Sequence, residues 1–136
     1  YVLARLAYER GDQQTALARL DRAVAQAARD GTTEPQYVYM RARLLGELRD
    51  PRADAEFWRF MNMDGIPYYN LALAAFFRQT LPGAQLTEER KRDLGWARAV
   101  MQDELGRSGL KETRLNIEAI DKLLSGGTAS YQKLDW

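Results

Sequence analysis

The stretch LAYERGDQQTALARLDRA, residues 6–23, decides the fold, because Gly11 and Asp12 interrupt an otherwise helical pattern. On both sides of this pair, apolar residues recur at the three- and four-residue spacing that is typical of amphipathic helices. Glycine adopts the left-handed conformation that ends a helix, and an aspartate side chain caps the exposed amides of the next one. The pair therefore predicts a turn between two antiparallel helices that form a hairpin.

Similar turn signals recur along the chain, and no segment shows the sustained alternation that is typical of a strand. We therefore predict an all-α protein with about seven helices. Proline behind a capping residue predicts helix starts at Pro35, in a capping box with Thr33, and at Pro51, behind Asp50. One helical domain is predicted over residues 1–127. Its parts are hairpins over 1–30, 35–64 and 67–106 and a capping helix over 110–125, and a tail follows over 128–136.

Seven apolar residues lie close together in sequence, at the end of the second predicted hairpin and the start of the third. Aromatic side chains at helical spacing usually belong to a core, so we predict that this cluster is buried. Exposure of Trp58 or Phe57 would instead favour a surface that binds a partner. The members are Phe57, Trp58, Phe60, Met61, Met63, Ile66 and Tyr68.

The charge of the chain is nearly balanced, with 20 basic and 19 acidic residues and a net charge of +1. The two signs alternate, so no broad positive field exists to hold a phosphate backbone, and nucleic acid is not an expected partner. The longest apolar run, residues 71–77, has seven residues. Because a membrane-spanning helix needs ~20 apolar residues, membrane insertion is not expected.

The chain contains no cysteine and no histidine. Thiol nucleophiles, imidazole bases and the usual zinc ligands are therefore absent, and we predict no metal site and no cofactor. Paired carboxylates can hydrolyse glycosides, but no spacing singles out two acids from Glu47, Glu56, Glu88 and Glu104. The sequence therefore predicts a protein that is not an enzyme and has no catalytic residues.

Two stretches match each other at a shift of 68 residues, which aligns Leu3-Ala4-x-x-Ala7-Tyr8 with Leu71-Ala72-x-x-Ala75-Phe76. This shift is twice the period of about 34 residues that defines the tetratricopeptide repeat (TPR). The first hairpin resembles that family in its small residues and its turn, whereas the later hairpins resemble it less closely. The matching positions are Ala4, Ala7, Gly11, Asp12, Ala16, Leu20 and Ala23.

The resemblance implies a right-handed α-solenoid of antiparallel helical hairpins, in which the first helix of each hairpin lines a concave groove. Grooves of this family bind peptides or protein segments, so the resemblance implies a non-catalytic scaffold for protein–protein interactions. Aligned repeats place tyrosines, arginines and glutamates at successive turns of these helices. The lysine and asparagine pattern by which some members of the family clamp a C-terminal carboxylate is missing, and Asn70 is the only asparagine that matches it, so binding of chaperone tails is not implied. The candidate peptide-binding residues are Tyr1, Arg5, Glu9, Tyr39, Arg43, Glu47, Tyr69 and Asn70.

Two readings of these residues stay open. Tyrosines flanked by arginines can grip a peptide by stacking, by hydrogen bonds to its backbone and by pairing with an acidic group. Alternatively, Arg5 with Glu9 and Arg43 with Glu47 form ordinary ion pairs one turn apart, and the tyrosines pack between helices.

A structural role is the alternative function. The chain would then be a spacer or an oligomerisation module of a bacterial envelope assembly, with contact surfaces over residues 110–124 and 131–136. Arginine outnumbers lysine sixteen to four, which favours a bacterial source. Because the chain begins at Tyr1, we expect it to be part of a longer protein, and its compartment stays open between bacterial cytoplasm and periplasm.

Overall fold

The computed structural model describes residues 2–136, and these residues form seven α-helices and no β-strand. The prediction of an all-α protein is therefore confirmed for the described part of the chain. The helices are α1 (Val2–Glu9), α2 (Gln13–Arg29), α3 (Pro35–Glu47), α4 (Ala53–Met61), α5 (Tyr68–Gln79), α6 (Glu88–Ser108) and α7 (Lys111–Leu124).

The chain divides into two compact units. The first unit combines Tyr1–Met63 with Gln132–Trp136, and the second is Asp64–Tyr131. Within the first unit α1 packs on α2, α2 on α3 and α3 on α4, whereas within the second α5 packs on α6 and α6 on α7. The last five residues thus belong to the first unit, although they follow the last helix of the second.

The turn between α1 and α2 has the predicted chemistry. Gly11 has a φ of +83°, and the backbone amides of Gly11 and Asp12 donate to the carbonyls of Tyr8 and Ala7, both at 2.9 Å. The Asp12 carboxylate accepts the Thr15 amide at 3.1 Å, which caps α2. The predicted glycine turn and aspartate cap are confirmed.

Small side chains are buried where α1 and α2 pack together. Ala4, Ala7, Ala16 and Leu20 are all fully or almost fully buried. Only residues 10–12 separate the two helices, so α2 must run back along α1 to contact it. Alanine on both sides lets the two backbones approach closely, while Leu20 fills the space beside the crossing.

Helix α3 begins at Pro35 as predicted, but its predicted capping box is wrong, and so is the predicted start of α4. Glu34, rather than Thr33, precedes α3 at the N-cap position, and no side-chain hydrogen bond caps this helix. Helix α4 begins at Ala53 instead of Pro51, because the Asp50 carboxylate accepts the Arg52 amide at 2.9 Å and closes a separate turn before the helix. The Arg52 side chain also binds this carboxylate and lowers the pKa of Asp50 to about 2.

The predicted aromatic core is correct for some of its members and wrong for others. Phe57 and Phe60 are buried, whereas Trp58 is 43% exposed and Tyr68 is 74% exposed. Successive residues on a helix point in directions about 100° apart. The face that buries Phe57 and Phe60 therefore turns Trp58 outward, and Tyr68 belongs to the first turn of α5.

Candidate peptide-docking site

The first unit carries a site that holds the irregular segment Gln132–Trp136, which we call the docked segment. The side chains that hold it come from α1, α2 and α3. Arg43 and Glu47 are four residues apart on α3, so helix geometry places them on one face, one turn apart. Tyr8 lies in the last turn of α1 and Gln13 in the first turn of α2, so the Gly11 turn brings both close to Glu47.

Arg43 binds the main chain of the docked segment. Its Nη1 donates to the Gln132 carbonyl at 3.1 Å, and its Nη2 donates to the Lys133 carbonyl at 3.2 Å. The two nitrogens of a planar guanidinium diverge like a fork, which suits two successive carbonyl oxygens. Arg43 is only 4% exposed, and hydrogen bonds of a charged group are stronger when water is excluded.

The Glu47 carboxylate accepts hydrogen bonds from three residues. The Tyr8 hydroxyl lies 2.7 Å and 2.8 Å from its two carboxylate oxygens, and Gln13 Nε2 donates at 3.0 Å. The Leu134 amide of the docked segment donates to Oε2 at 3.3 Å. Tyr8 and Gln13 thus fix the carboxylate in the orientation that accepts a peptide amide.

Tyr8 is a positioning residue that also contacts the segment directly. Its hydroxyl lies 3.3 Å from the Leu134 carbonyl oxygen, but its single proton goes to the nearer Glu47 carboxylate. Burial, followed by the hydrogen bond to Glu47, raises the pKa of Tyr8 above its ordinary value. The neutral hydroxyl that the site needs is therefore kept to higher pH than in a free tyrosine.

Two side chains of the docked segment pack against the helical part of the first unit, whereas the other three side chains are exposed. Leu134 is 5% exposed, and the Trp136 ring lies 5.7 Å from the Tyr8 ring, tilted by 54°. Lys133 is exposed, with its Nζ 5.9 Å from the centre of the same tyrosine ring. Gln132 and Asp135 are also exposed. Leu134 and Trp136 therefore supply the apolar contacts of the segment.

The remaining candidate residues of the first unit lie in other surroundings. Arg5 and Glu9 form an exposed ion pair at 3.0 Å, one turn apart on α1. The Tyr39 ring packs on Phe60 at 5.1 Å between centroids. Tyr1 is outside the described residues. Arg5, Glu9 and Tyr39 thus fit the packing and ion-pair alternatives, whereas Arg43 and Glu47 both bind the docked segment.

Tyr69 and Asn70 belong to the second unit. The Tyr69 hydroxyl is 3.1 Å from the Thr113 hydroxyl, and Asn70 is exposed. Tyr69 also borders an open groove of about 570 Å³, where the exposed rings of Tyr68 and Trp96 meet edge to face at 6.0 Å. The groove is lined by Pro67, Tyr68, Tyr69, Trp96, Ala99, Val100, Asp103 and Arg107.

Four contributors to the docking site lie outside the candidate set drawn from the sequence. In the sequence, Tyr8 is marked only as a match between repeats, and no pattern singles out Gln13. Leu134 and Trp136 lie in the aromatic segment that the sequence assigned to the alternative, structural role. The available signal was an isolated aliphatic and aromatic pair in a stretch without helical periodicity.

The acidic residues considered for glycoside hydrolysis are engaged by other groups. Both oxygens of buried Glu56 are bound by arginines, one by Arg41 and the other by Arg59 at 3.3 Å. Arg41 also donates to Asp21 at 2.5 Å. Within residues 2–136, no three acidic side chains converge in a way that would hold a metal ion. Each helix of this same range is too short or too polar to cross a lipid bilayer.

Comparisons with known proteins give no relative from which to transfer a function. No family model, no curated protein and no solved structure matches this chain significantly.

Proposed function

We propose that this chain is a non-catalytic scaffold that binds a peptide or protein segment on the surface formed by α1 and α3. The proposal depends on one observation, the hydrogen bonds that Arg43 and Glu47 make with main-chain atoms of residues 132–134. The Arg43 guanidinium donates to two carbonyls, and the Glu47 carboxylate accepts from one amide. These two side chains therefore recognise backbone groups that every peptide has. Apolar contacts then supply the preference for particular side chains.

The proposed architecture is a TPR-like, right-handed solenoid whose first helices line the binding surface. Support comes from the buried alanines between α1 and α2 and from the glycine turn, which are the features that the family resemblance depends on. Arg43 and Glu47 also occupy repeat positions that face the groove in that family. The proposed role is non-catalytic, and the hydrogen bonds that hold Glu47 and Glu56, two of the four acids weighed for hydrolysis, support it.

A selection from a random peptide library tests this function. The bait is the full chain with Leu134→Asp, which places a charge in the buried position and frees the site. We expect the selected peptides to lose at least about tenfold in affinity when Arg43→Gln is added, because a hydrogen-bonded charged group contributes about 1.5–3 kcal/mol. Arg29→Gln is the matched control, because Arg29 is exposed at the end of α2. Circular dichroism verifies that every variant keeps its helices.

The result that would reject the proposal is equally specific. If no peptide is enriched, or if the enriched peptides bind the Arg43→Gln chain as well as the Arg29→Gln chain, the surface of α1 and α3 does not bind peptides.

The alternative function, a spacer or oligomerisation module, is favoured by a separate observation. Leu110, Leu115 and Leu124 are exposed in or beside α7, within the region that the sequence assigned to self-contact. Sedimentation over a range of concentrations tests this alternative. A dimer that Leu115→Glu converts to a monomer supports it, and a monomer at all concentrations contradicts it.

A further inference from the structure

Some contacts of the docked segment are independent of its side chains, whereas others select particular side chains. Arg43 and Glu47 contact its main chain, so they accept many sequences. The selective contacts are the buried Leu134 and the Trp136 ring that faces Tyr8. The site is therefore shaped for an aliphatic side chain followed, two positions later, by an aromatic one.

The docked segment is not part of any helix. Helix α7 ends at Leu124, and residues 127–136 have no regular secondary structure. The contacts described for the segment are made by side chains of the first unit, so its release breaks no hydrogen bond of a helix ladder. Arg43 and Glu47 would then be exposed to water or to another peptide.

We infer that the docked segment is an internal ligand that closes the site, and that the external ligand is a peptide segment with the same aliphatic-x-aromatic pattern. This inference rests on the proposed function and adds to it the chemistry of the partner and a means of regulation. A tethered segment acts at an effective concentration that reaches about the millimolar range. An external segment must therefore compete with it, and the site opens only to ligands that bind better or are locally concentrated.

The test uses a labelled peptide with the sequence of residues 131–136, YQKLDW, with both ends blocked. Its binding to the full wild-type chain and to the Leu134→Asp chain is measured by fluorescence anisotropy. Leu124→Asp is the matched control, because it makes the same chemical change at a leucine outside the docked segment. Two altered peptides, one with aspartate in place of leucine and one with alanine in place of tryptophan, test the pattern.

We expect the peptide to bind the Leu134→Asp chain at least about tenfold more tightly than the wild-type or Leu124→Asp chain, since only the first has lost its internal competitor. The peptide with aspartate in place of leucine is expected to bind the Leu134→Asp chain at least about tenfold more weakly than the parent peptide, and the peptide with alanine in place of tryptophan about fivefold more weakly.

Other outcomes overturn the inference in distinguishable ways. Equal binding to wild-type and Leu134→Asp chains overturns closure of the site, and equal binding of parent and altered peptides overturns the pattern, while the proposed function survives both. If the peptide fails to bind but library peptides bind through Arg43, only the inference falls. If neither binds, the proposed function falls as well. A wild-type dimer that Leu134→Asp makes monomeric would show that the segment comes from a second copy, which overturns internal closure.

Discussion

The docked segment should respond to loss of its buried leucine, and the structure gives the size of the response. Burial of Leu134 contributes about 1.5–3 kcal/mol. The three hydrogen bonds between the main chain of residues 132–134 and charged side chains contribute about 1.5–3 kcal/mol each. The contact of Trp136 with Tyr8 adds about 1 kcal/mol. Ordering of five residues costs about 1–2 kcal/mol each. Central values leave about 2–3 kcal/mol in favour of the docked state.

Leu134→Ala removes most of this margin. The substitution deletes three carbon atoms from a buried side chain, which at about 0.8 kcal/mol per carbon is a loss of about 2 kcal/mol. The ratio of docked to released segment should therefore fall by about 30-fold. The segment would then be released for a large part of the time, while the helices of the first unit stay folded.

Amide hydrogen exchange measured by NMR spectroscopy reports both parts of this prediction. Exchange at the backbone amide of position 134 should accelerate by about 30-fold, the factor by which docking weakens. Amides in the middle of α3, such as those of Leu44 and Leu45, should keep their protection, and Leu124→Ala should leave position 134 unchanged. The reasoning is refuted if exchange at position 134 does not change. It is also refuted if α3 loses protection in parallel, because the segment would then be an integral part of the folded core.

Three further predictions concern the turn, the helix crossing and the site. The pKa of Tyr8 in the folded chain lies above the unfolded value of about 10, so the neutral hydroxyl and its hydrogen bond stabilise the chain fully below pH ~10, and this stabilisation is lost as the pH rises through the folded-state pKa. The melting temperature of the wild-type chain should therefore fall more steeply above pH ~10 than that of Tyr8→Phe. Parallel curves of melting temperature against pH would contradict this prediction. Ala16→Leu should cost about 1–3 kcal/mol in urea unfolding through overpacking, whereas Ala18→Leu, on an exposed position of the same helix, should be close to neutral. Gly11→Ala should cost about 1–2 kcal/mol in the same assay, because alanine is strained at a φ of +83°; an unchanged midpoint would show that the turn relaxes.

Local signals account for the parts of the fold that the sequence predicts well. The turn at Gly11 and the cap at Asp12 depend on residues within five positions of each other, so the pattern contains the whole cause. Local signals do not determine whether Trp58 is buried, because its burial depends on which helix packs against α4. The prediction for Trp58 failed because an aromatic-rich helix has more apolar side chains than one buried face can hold.

The sequence predicts the residues of α3 that bind the docked segment, but it does not predict the segment that they bind. Periodicity within α3 and the alignment of repeats select Arg43 and Glu47 as residues on a common face. Their partners are 87 to 90 residues away in sequence, and the chain between them carries no pattern that links the two. Main-chain atoms also lack a sequence signature, so the ligand of a site that binds backbone atoms cannot be inferred from matching side chains.

The chemistry of Arg43 and Glu47 favours a reversible contact over a permanent one. Burial of Arg43 and partial burial of Glu47 remove hydration from both charged groups, and apolar residues of similar size often stabilise a permanent core as well or better. A reversible site has the opposite requirement, since in the released state its groups must be stable in water. Arginine and glutamate meet this requirement, because both are strongly hydrated once the segment leaves. An apolar surface of the same extent would remain exposed and would associate without selectivity. The charged residues therefore make physical sense at this position if the segment they hold is exchanged for another.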